Sequence, residues 1–366
     1  MSRVATKIPM EVVSHKLVPI PLTPLSDKPL VSIITSNYNY ADFLPEAAES
    51  VLRQTYANFE WIICDDGSTD RSIDVLDVLS STDSRIRVIA KQNGGQASGL
   101  NAAFARSSGE LIFLLDSDDL FDPSKLEVMV YAHQAQPTAG FGLHRVQWVN
   151  NARARQGVWP PAAKIPAGWY GESLLSTGGV LPYMPPTSAL TLHRSVAERI
   201  FPLPESPELT GVADQVITRL SPLLTSVLRR SEVLAEYRVH SSNAYIRTKT
   251  DADSIWREIT TCHHLWSAQK KFLDTLGPRV ANRFQPVENS PYLIYLRYLF
   301  SRLSHSTDQR LRHERFIAQL DGGRPIMNYF WKYSLYFPVP LFGAAVTFLS
   351  RPSLLKQVLA RLRGLV

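Results

Sequence analysis

The sequence predicts an α/β protein: a mixed, mostly parallel sheet flanked by helices, with a helical C-terminal extension. Between residues 30 and 126, short apolar runs alternate with stretches of helical periodicity, as βαβ units with right-handed crossovers require. Two of those runs end abruptly in carboxylates, and sheets of this kind bind ligands outside the carboxyl ends of their strands. Near the C-terminus, Leu354, Leu355, Val358 and Leu362 fall at helical spacing.

The elements follow in order. Residues 30–36 are apolar and β-branched and read as a first strand. Pro45 suits the first turn of a helix whose inner face is Ala47, Ala48, Val51 and Leu52. Residues 59–64 are a second strand that runs into Asp65-Asp66-Gly67-Ser68. Ile73, Leu76 and Leu79 repeat at helical spacing, with Ser68 or Asp70 available to cap. Residues 86–89 are a third strand, and an Ala-rich helix over 95–106 follows the Gly94-Gly95 turn. After the turn signal Ser107-Ser108-Gly109, five apolar residues, 111–115, form a buried strand that stops at Asp116-Ser117-Asp118-Asp119.

Asn37, Asp65, Asp66, Asp116, Asp118 and Asp119 thus fall at the carboxyl ends of strands and converge on one crevice. Three acids in four positions repel one another unless a cation sits among them. Hard oxygen ligands of this kind suit Mg²⁺ or Mn²⁺ beside substrate phosphates. For an isolated Asp-x-Asp the commoner state is a solvated acidic turn.

Five segments together resemble a family 2 glycosyltransferase with the GT-A fold: Thr35-Ser36-Asn37-Tyr38-Asn39 with Ser50-Val51-Leu52-Arg53-Gln54-Thr55-Tyr56; Cys64-Asp65-Asp66-Gly67-Ser68-Thr69-Asp70; Asn93-Gly94-Gly95-Gln96-Ala97-Ser98-Gly99-Leu100-Asn101; Gly109-Glu110-Leu111-Ile112; and Leu115-Asp116-Ser117-Asp118-Asp119. They cover about a quarter of the chain. The resemblance implies an inverting, metal-dependent transferase using a nucleotide-diphosphate sugar, a UDP-sugar being favoured. It places Asp66 on the nucleobase, with Asp65 second, and Thr35 and Asn37 on base and ribose. Gly95 and its neighbour Gly94 permit close backbone approach to the nucleotide, at a helix N-terminus that favours negative charge. Where some relatives have a basic residue in this loop, this chain has Gln96. The resemblance assigns Asp116 to ribose and diphosphate, and Asp118, extended by Asp119, to Mn²⁺ or Mg²⁺.

The second half supplies the acceptor side. The stretch 181–196 resembles the acceptor-side wall of the family. Gly211-Val212-Ala213-Asp214-Gln215 matches the acidic segment that carries the general base, so Asp214 is the expected proton acceptor, with Glu205 and Glu208 in reserve. Tyr237-Arg238-Val239-His240 looks like the family's closing segment. There His240 is expected to complete the metal site or meet the diphosphate, and Arg238 to pair with an acid or a phosphate.

Of the 366 residues 45% are hydrophobic, and there are two cysteines, Cys64 and Cys262. That gives neither a disulfide framework nor metal-ligand spacing and suits a reducing cytoplasm. The expected division is an extended arm over 1–28, a GT-A catalytic domain over 29–245 with its nucleotide-sugar half over 29–130, and a helical, basic region over 246–366. The arm has no continuous apolar core and reads as neither signal peptide nor anchor. Residues 291–366 carry eleven Lys and Arg against three Asp and Glu, a net +8 out of +6 for the whole chain. With Tyr329-Phe330-Trp331, Tyr336-Phe337 and the apolar run 341–349, this suits peripheral attachment to an anionic membrane surface. Pro338 and Pro340 interrupt the run 333–349, which argues against a span. The plain alternative is a helical subdomain packed on the chain or joining it into a homo-oligomer. No recognition motif accompanies the charge, so nucleic acid is not an expected partner.

The expected function is transfer of a sugar to a glycan or lipid-linked acceptor in cell-surface polysaccharide or glycolipid synthesis. The alternative is a non-catalytic GT-A-like protein that binds nucleotide or a partner. A nicotinamide enzyme is disfavoured, because Thr35-Ser36-Asn37 stands where the glycine fingerprint belongs.

Overall fold

A computed structural model of the chain describes residues 16–178, 181, 183–240 and 251–304, with 308, 312, 314 and 346. The chain divides into two compact units. The first runs to Arg238 and returns for Ala268–Phe284; the second holds Val239–Ser267 and the chain from Gln285 onward.

In the first unit β1 (Val31–Asn37), α1 (Leu44–Leu52), β2 (Phe59–Asp65), α2 (Ser72–Thr82), β3 (Ile86–Ala90), α3 (Gln96–Ala105) and β4 (Leu111–Leu114) alternate as the periodicity predicts. Their strands are parallel, in the order β3-β2-β1-β4. Asn37 lies opposite Asp65, so the polar ends of β1 and β2 share one edge. The N-cap residue of α2 is Arg71, and Asp70 before it accepts the Ser72 N–H on Oδ1 at 2.9 Å.

The acceptor half then adds β5 (Leu120–Phe121), α4 (Lys125–Ala135), β6 (Phe141–Asn150), β7 (Arg155–Trp159), α5 (Gly171–Thr177), β8 (Leu190–His193), α6 (Arg194–Ile200), α7 (Ala213–Leu220) and β9 (Val227–Val239). Strand β8 runs antiparallel to both β4 and β6, β6 to β7, and β5 to β9. The result is one nine-stranded mixed sheet ordered β3-β2-β1-β4-β8-β6-β9-β5, with β7 on β6.

The core joins Val31, Ile33, Trp61, Ile63, Leu111 and Phe113 of the sheet to Ala47 and Val51 of α1 and Leu126 and Met129 of α4. Helix α3 sits so close to β1 that a Cβ on Gly99 would fall 2.1 Å from the Ser36 hydroxyl oxygen. That contact lays the N-terminus of α3 against the crevice. Residues 16–29 form no helix or strand. They are fastened by the buried Leu17 and Ile20 and by the Ile20 N–H, which donates to the Leu224 carbonyl at 2.7 Å.

After α8 (Ala252–Thr275) and α9 (Pro278–Ala281) comes α10 (Pro291–Leu303). The second unit has its own apolar cluster, in which Ile255, Ile259 and Cys262 join Leu293, Leu296 and Leu299. Among the described residues no helix is long and apolar enough to cross a membrane. The aromatic clusters 329–337, the apolar run 341–349 and the stripe Leu354 to Leu362 lie, Val346 apart, outside the described residues.

Candidate active site

The site begins at the shared ends of β1 and β2. Asn37 is buried, and its Nδ2 donates to Asp65 Oδ2 at 2.9 Å and to the Ser68 hydroxyl at 3.3 Å. Ser68 returns its N–H to Asp65 Oδ1 and its O–H to Asp65 Oδ2. Asp65 is therefore committed to its own turn, while Asn37 Oδ1 is buried with no hydrogen-bond partner. Thr35 is also fully buried and accepts the Trp61 indole N–H at 2.9 Å. Its hydroxyl braces the sheet.

Asp66 holds the glycine loop. Its Oδ2 accepts the Gly95 N–H at 2.6 Å and the Gly94 N–H at 3.1 Å, and its Oδ1 accepts Lys91 Nζ at 2.7 Å. Gly95 opens α3 at φ +88°, a left-handed conformation that glycine adopts without a Cβ penalty. Lys91 is a residue the sequence reading missed. It stands just before the loop, and its Nζ also donates to the Gln92 carbonyl at 2.6 Å.

Gln96, the first residue of α3, ties the two halves of the site together. Its Nε2 donates to Asp116 Oδ1 at 3.2 Å, and its Oε1 accepts the Ala213 N–H at 3.4 Å. Ala213 opens α7, and Asp214 stands in that helix's first turn. The Asp116 N–H is itself fixed on the Ser188 hydroxyl at 3.0 Å. Asp116 is pushed up to about 7 by burial and then by the charges of Asp118 and Asp214. Burial likewise pushes Asp214 up to about 6, although its Oδ1 accepts the Gln215 N–H at 2.7 Å. The charge of Asp214 thus reaches Asp116 from 98 positions away in sequence.

Asp119 is fully buried; its Oδ1 accepts the Arg238 N–H at 2.9 Å, and Oδ2 has no hydrogen-bond partner of ordinary geometry. Burial, then Asp118 and Asp116, raises its pKa far above the carboxylate range. Arg238 acts as a clamp: Nε donates to the Asp118 carbonyl, Nη2 pairs with Glu46 at 2.9 Å, and the guanidinium lies 5.0 Å from the Phe43 ring centre. Of its two expected partners, the structure shows the acid.

Tyr40 and Lys125 were not read from the sequence as parts of the site, and Tyr237 only as part of the closing segment. The Tyr40 and Tyr237 hydroxyls are both raised by burial and then by the charges of the β4 acids, so both rings flank the cluster. Lys125 is fully buried, donates to the Ser188 carbonyl, and lies 3.4 Å from the Phe121 ring centre. Burial holds its ammonium well below the ordinary lysine range. Of the reserve bases, Glu205 is engaged by Asn101 Nδ2 at 2.7 Å. His240 is buried and belongs to the second unit.

Among the described residues, no group of three or more His, Cys, Asp or Glu side chains is gathered to hold a metal ion. The donor set still fits a hard cation. Carboxylates raised by burial and then by one another's charge, with an unpartnered Asp119 oxygen, would gain from a divalent ion.

Residues 32–201 match the family model described as glycosyl transferase family 2. An uncharacterized glycosyltransferase of Nostoc sp. is 34% identical over 218 residues, which is 59% of this chain and 66% of that protein. The UDP-Glc:alpha-D-GlcNAc-diphosphoundecaprenol beta-1,3-glucosyltransferase WfgD of Escherichia coli is 41% identical over 105 residues, 28% of this chain and 41% of that one. The chain therefore spans less than two-thirds of either relative. The crystal structure of S. aureus TarS 1-349 in complex with UDP-GlcNAc aligns at a TM-score of 0.51 with 17% identity, covering 83% of this chain and 90% of that one. That likeness shows the fold, which is GT-A. Residues 32–201 therefore form a glycosyltransferase family 2 domain.

Proposed function

We propose that this chain is an inverting glycosyltransferase that moves a sugar from a UDP-sugar to a hydroxyl of a glycan or lipid-linked acceptor, in cell-surface polysaccharide or glycolipid synthesis. The observation that carries the proposal is the Gln96 bridge, which joins Asp116 Oδ1 to the Ala213 N–H one residue before Asp214. It supports a carboxylate on a separate element working beside the acids read as facing a leaving diphosphate.

Asp214 takes the acceptor hydroxyl proton as that oxygen attacks the anomeric carbon from the face opposite the leaving group. Asp116 orients ribose and diphosphate, and the N-terminus of α3 faces the phosphates. Asn37 offers its unpaired Oδ1 to base or ribose. Asp66 sets the loop that covers the nucleotide and presents the acceptor edge for a ring N–H. Asp118, with Asp119 behind it, would hold Mn²⁺ or Mg²⁺; the ion supplies neutralisation of charge on the leaving diphosphate. Two likenesses support UDP: the Escherichia coli relative is named for UDP-Glc, and the TarS structure is a complex with UDP-GlcNAc.

The test is turnover of UDP-glucose and UDP-N-acetylglucosamine with Mn²⁺, alongside UDP affinity by calorimetry. Asp214→Asn should lower kcat by about 100-fold and leave UDP affinity within about twofold. Full activity in excess chelator would remove the metal from the mechanism. UDP binding without turnover of either donor would instead favour the non-catalytic reading.

A further inference from the structure

We infer that a row of four aromatic rings leading away from the acids is an acceptor subsite, and that it takes a chain of pyranose sugars laid face-on against the rings. The inference rests on the transferase reading and narrows its acceptor to a glycan.

The row starts at Tyr237, whose hydroxyl lies in the field of Asp119, Asp116, Asp118 and Asp214. Trp148 follows with its ring centre 6.1 Å away, then Trp159 at 6.4 Å, then Tyr183 at 5.8 Å. Successive rings are tilted by 48°, 44° and 38°, so they form a stepped wall and not a closed stack. Trp148, Trp159 and Tyr237 rest on the core yet remain partly exposed, and Tyr183 is 40% exposed.

A second observation concerns the space beside the row. The β6–β7 register sets Gly157 directly opposite Trp148. A Cβ built at Gly157 meets nothing within 4 Å. Opposite one tryptophan and two residues before the other, the hairpin therefore leaves open space where a side chain would ordinarily cover the sheet face.

Pyranose rings carry apolar C–H faces and polar hydroxyl edges. They match aromatic faces whose polar edges are fixed. Here the Trp159 indole N–H is fixed on the Met184 carbonyl at 3.2 Å, and Lys164 Nζ lies 5.8 Å from the Tyr183 ring centre at the outer end. A lipid tail would call for a continuous apolar trough. A stepped, amphipathic row that ends at a cation suits sugars better.

The experiment titrates the full chain with maltotetraose, cellotetraose, chitotetraose and phosphatidylcholine vesicles, reading tryptophan fluorescence, with UDP affinity measured in parallel. Binding of at least one oligosaccharide is expected. Tyr183→Ala and Gly157→Leu should each weaken it by about fivefold or more while UDP affinity is kept. Tyr183 is exposed, so its variant keeps the test meaningful if Gly157→Leu folds poorly. Oligosaccharide binding that both folded variants retain would overturn the location. UDP binding with no oligosaccharide binding, or binding of vesicles alone, would overturn the subsite and leave the transferase reading standing. Loss of both UDP and oligosaccharide binding in the wild type would sink the two together.

Discussion

Asp214 shows how one carboxyl sets two opposite pH responses. As a base it works only when ionised, and its pKa is raised to about 6, chiefly by burial. The kcat/KM profile should therefore fall on the acid side with a limb near that value. Stability responds the other way. A carboxyl whose folded pKa exceeds its unfolded one favours the fold while protonated, and that contribution is lost as pH rises through about 6. Asp214→Asn escapes the loss, so it should melt above the wild type at neutral pH, by an equivalent of order 2 kcal/mol, and level with it near pH 4. A lower melting temperature at neutral pH would show that the fold holds the carboxylate instead. The acids of β2 and β4 were legible in the sequence because each ends an apolar run. Asp214 was legible only through the family resemblance. Lys91 and Lys125 were not legible, because what defines them are contacts across 25 and 63 positions, with Asp66 and Ser188. No local pattern records such contacts.

Among the elements, α3 positions most of the site, and its seat on β1 depends on Gly99. A methyl group there collides with Ser36, whose Cα would lie 3.4 Å from the new atom and its side chain closer still. Gly99→Ala should cost about 1–3 kcal/mol in denaturant unfolding. By tilting the start of the helix it should also weaken UDP binding more than a core truncation of equal cost such as Ile33→Val. Equal effects on binding would show that the seat matters only for stability. The first four strands and three helices could be read from the sequence because short continuous apolar runs separate cleanly from period-3.6 stretches there. The antiparallel half could not. Strand β5 has two residues, and β8 only four, too short for a period to register. Their order in the sheet is set by pairing with distant strands.

For the whole molecule, the sequence places charge and mass unevenly. The net +8 of residues 291–366 stands apart from a nucleotide site made of acids. The expectation from sequence is that this region meets an anionic membrane surface. The protein should then co-sediment with phosphatidylglycerol vesicles, less so at high salt, and less again after deletion of residues 351–366, with turnover of a soluble acceptor kept. Loss of folding on that deletion, with no vesicle binding by the intact chain, would assign the region to packing. The Gln96 bridge sets a different limit on the molecule, one that bears on recombination. One amide spans from the β4 acids to the opening turn of α7, so the two halves of the domain are not interchangeable parts. Grafting the acceptor half of another family member onto residues 29–130 separates position 96 from the opening of α7, so the hybrid should be active only when the residues opening α7 are changed back to those of this chain. Crossovers that separate them should give proteins that still bind nucleotide but have lost the alignment between donor and base.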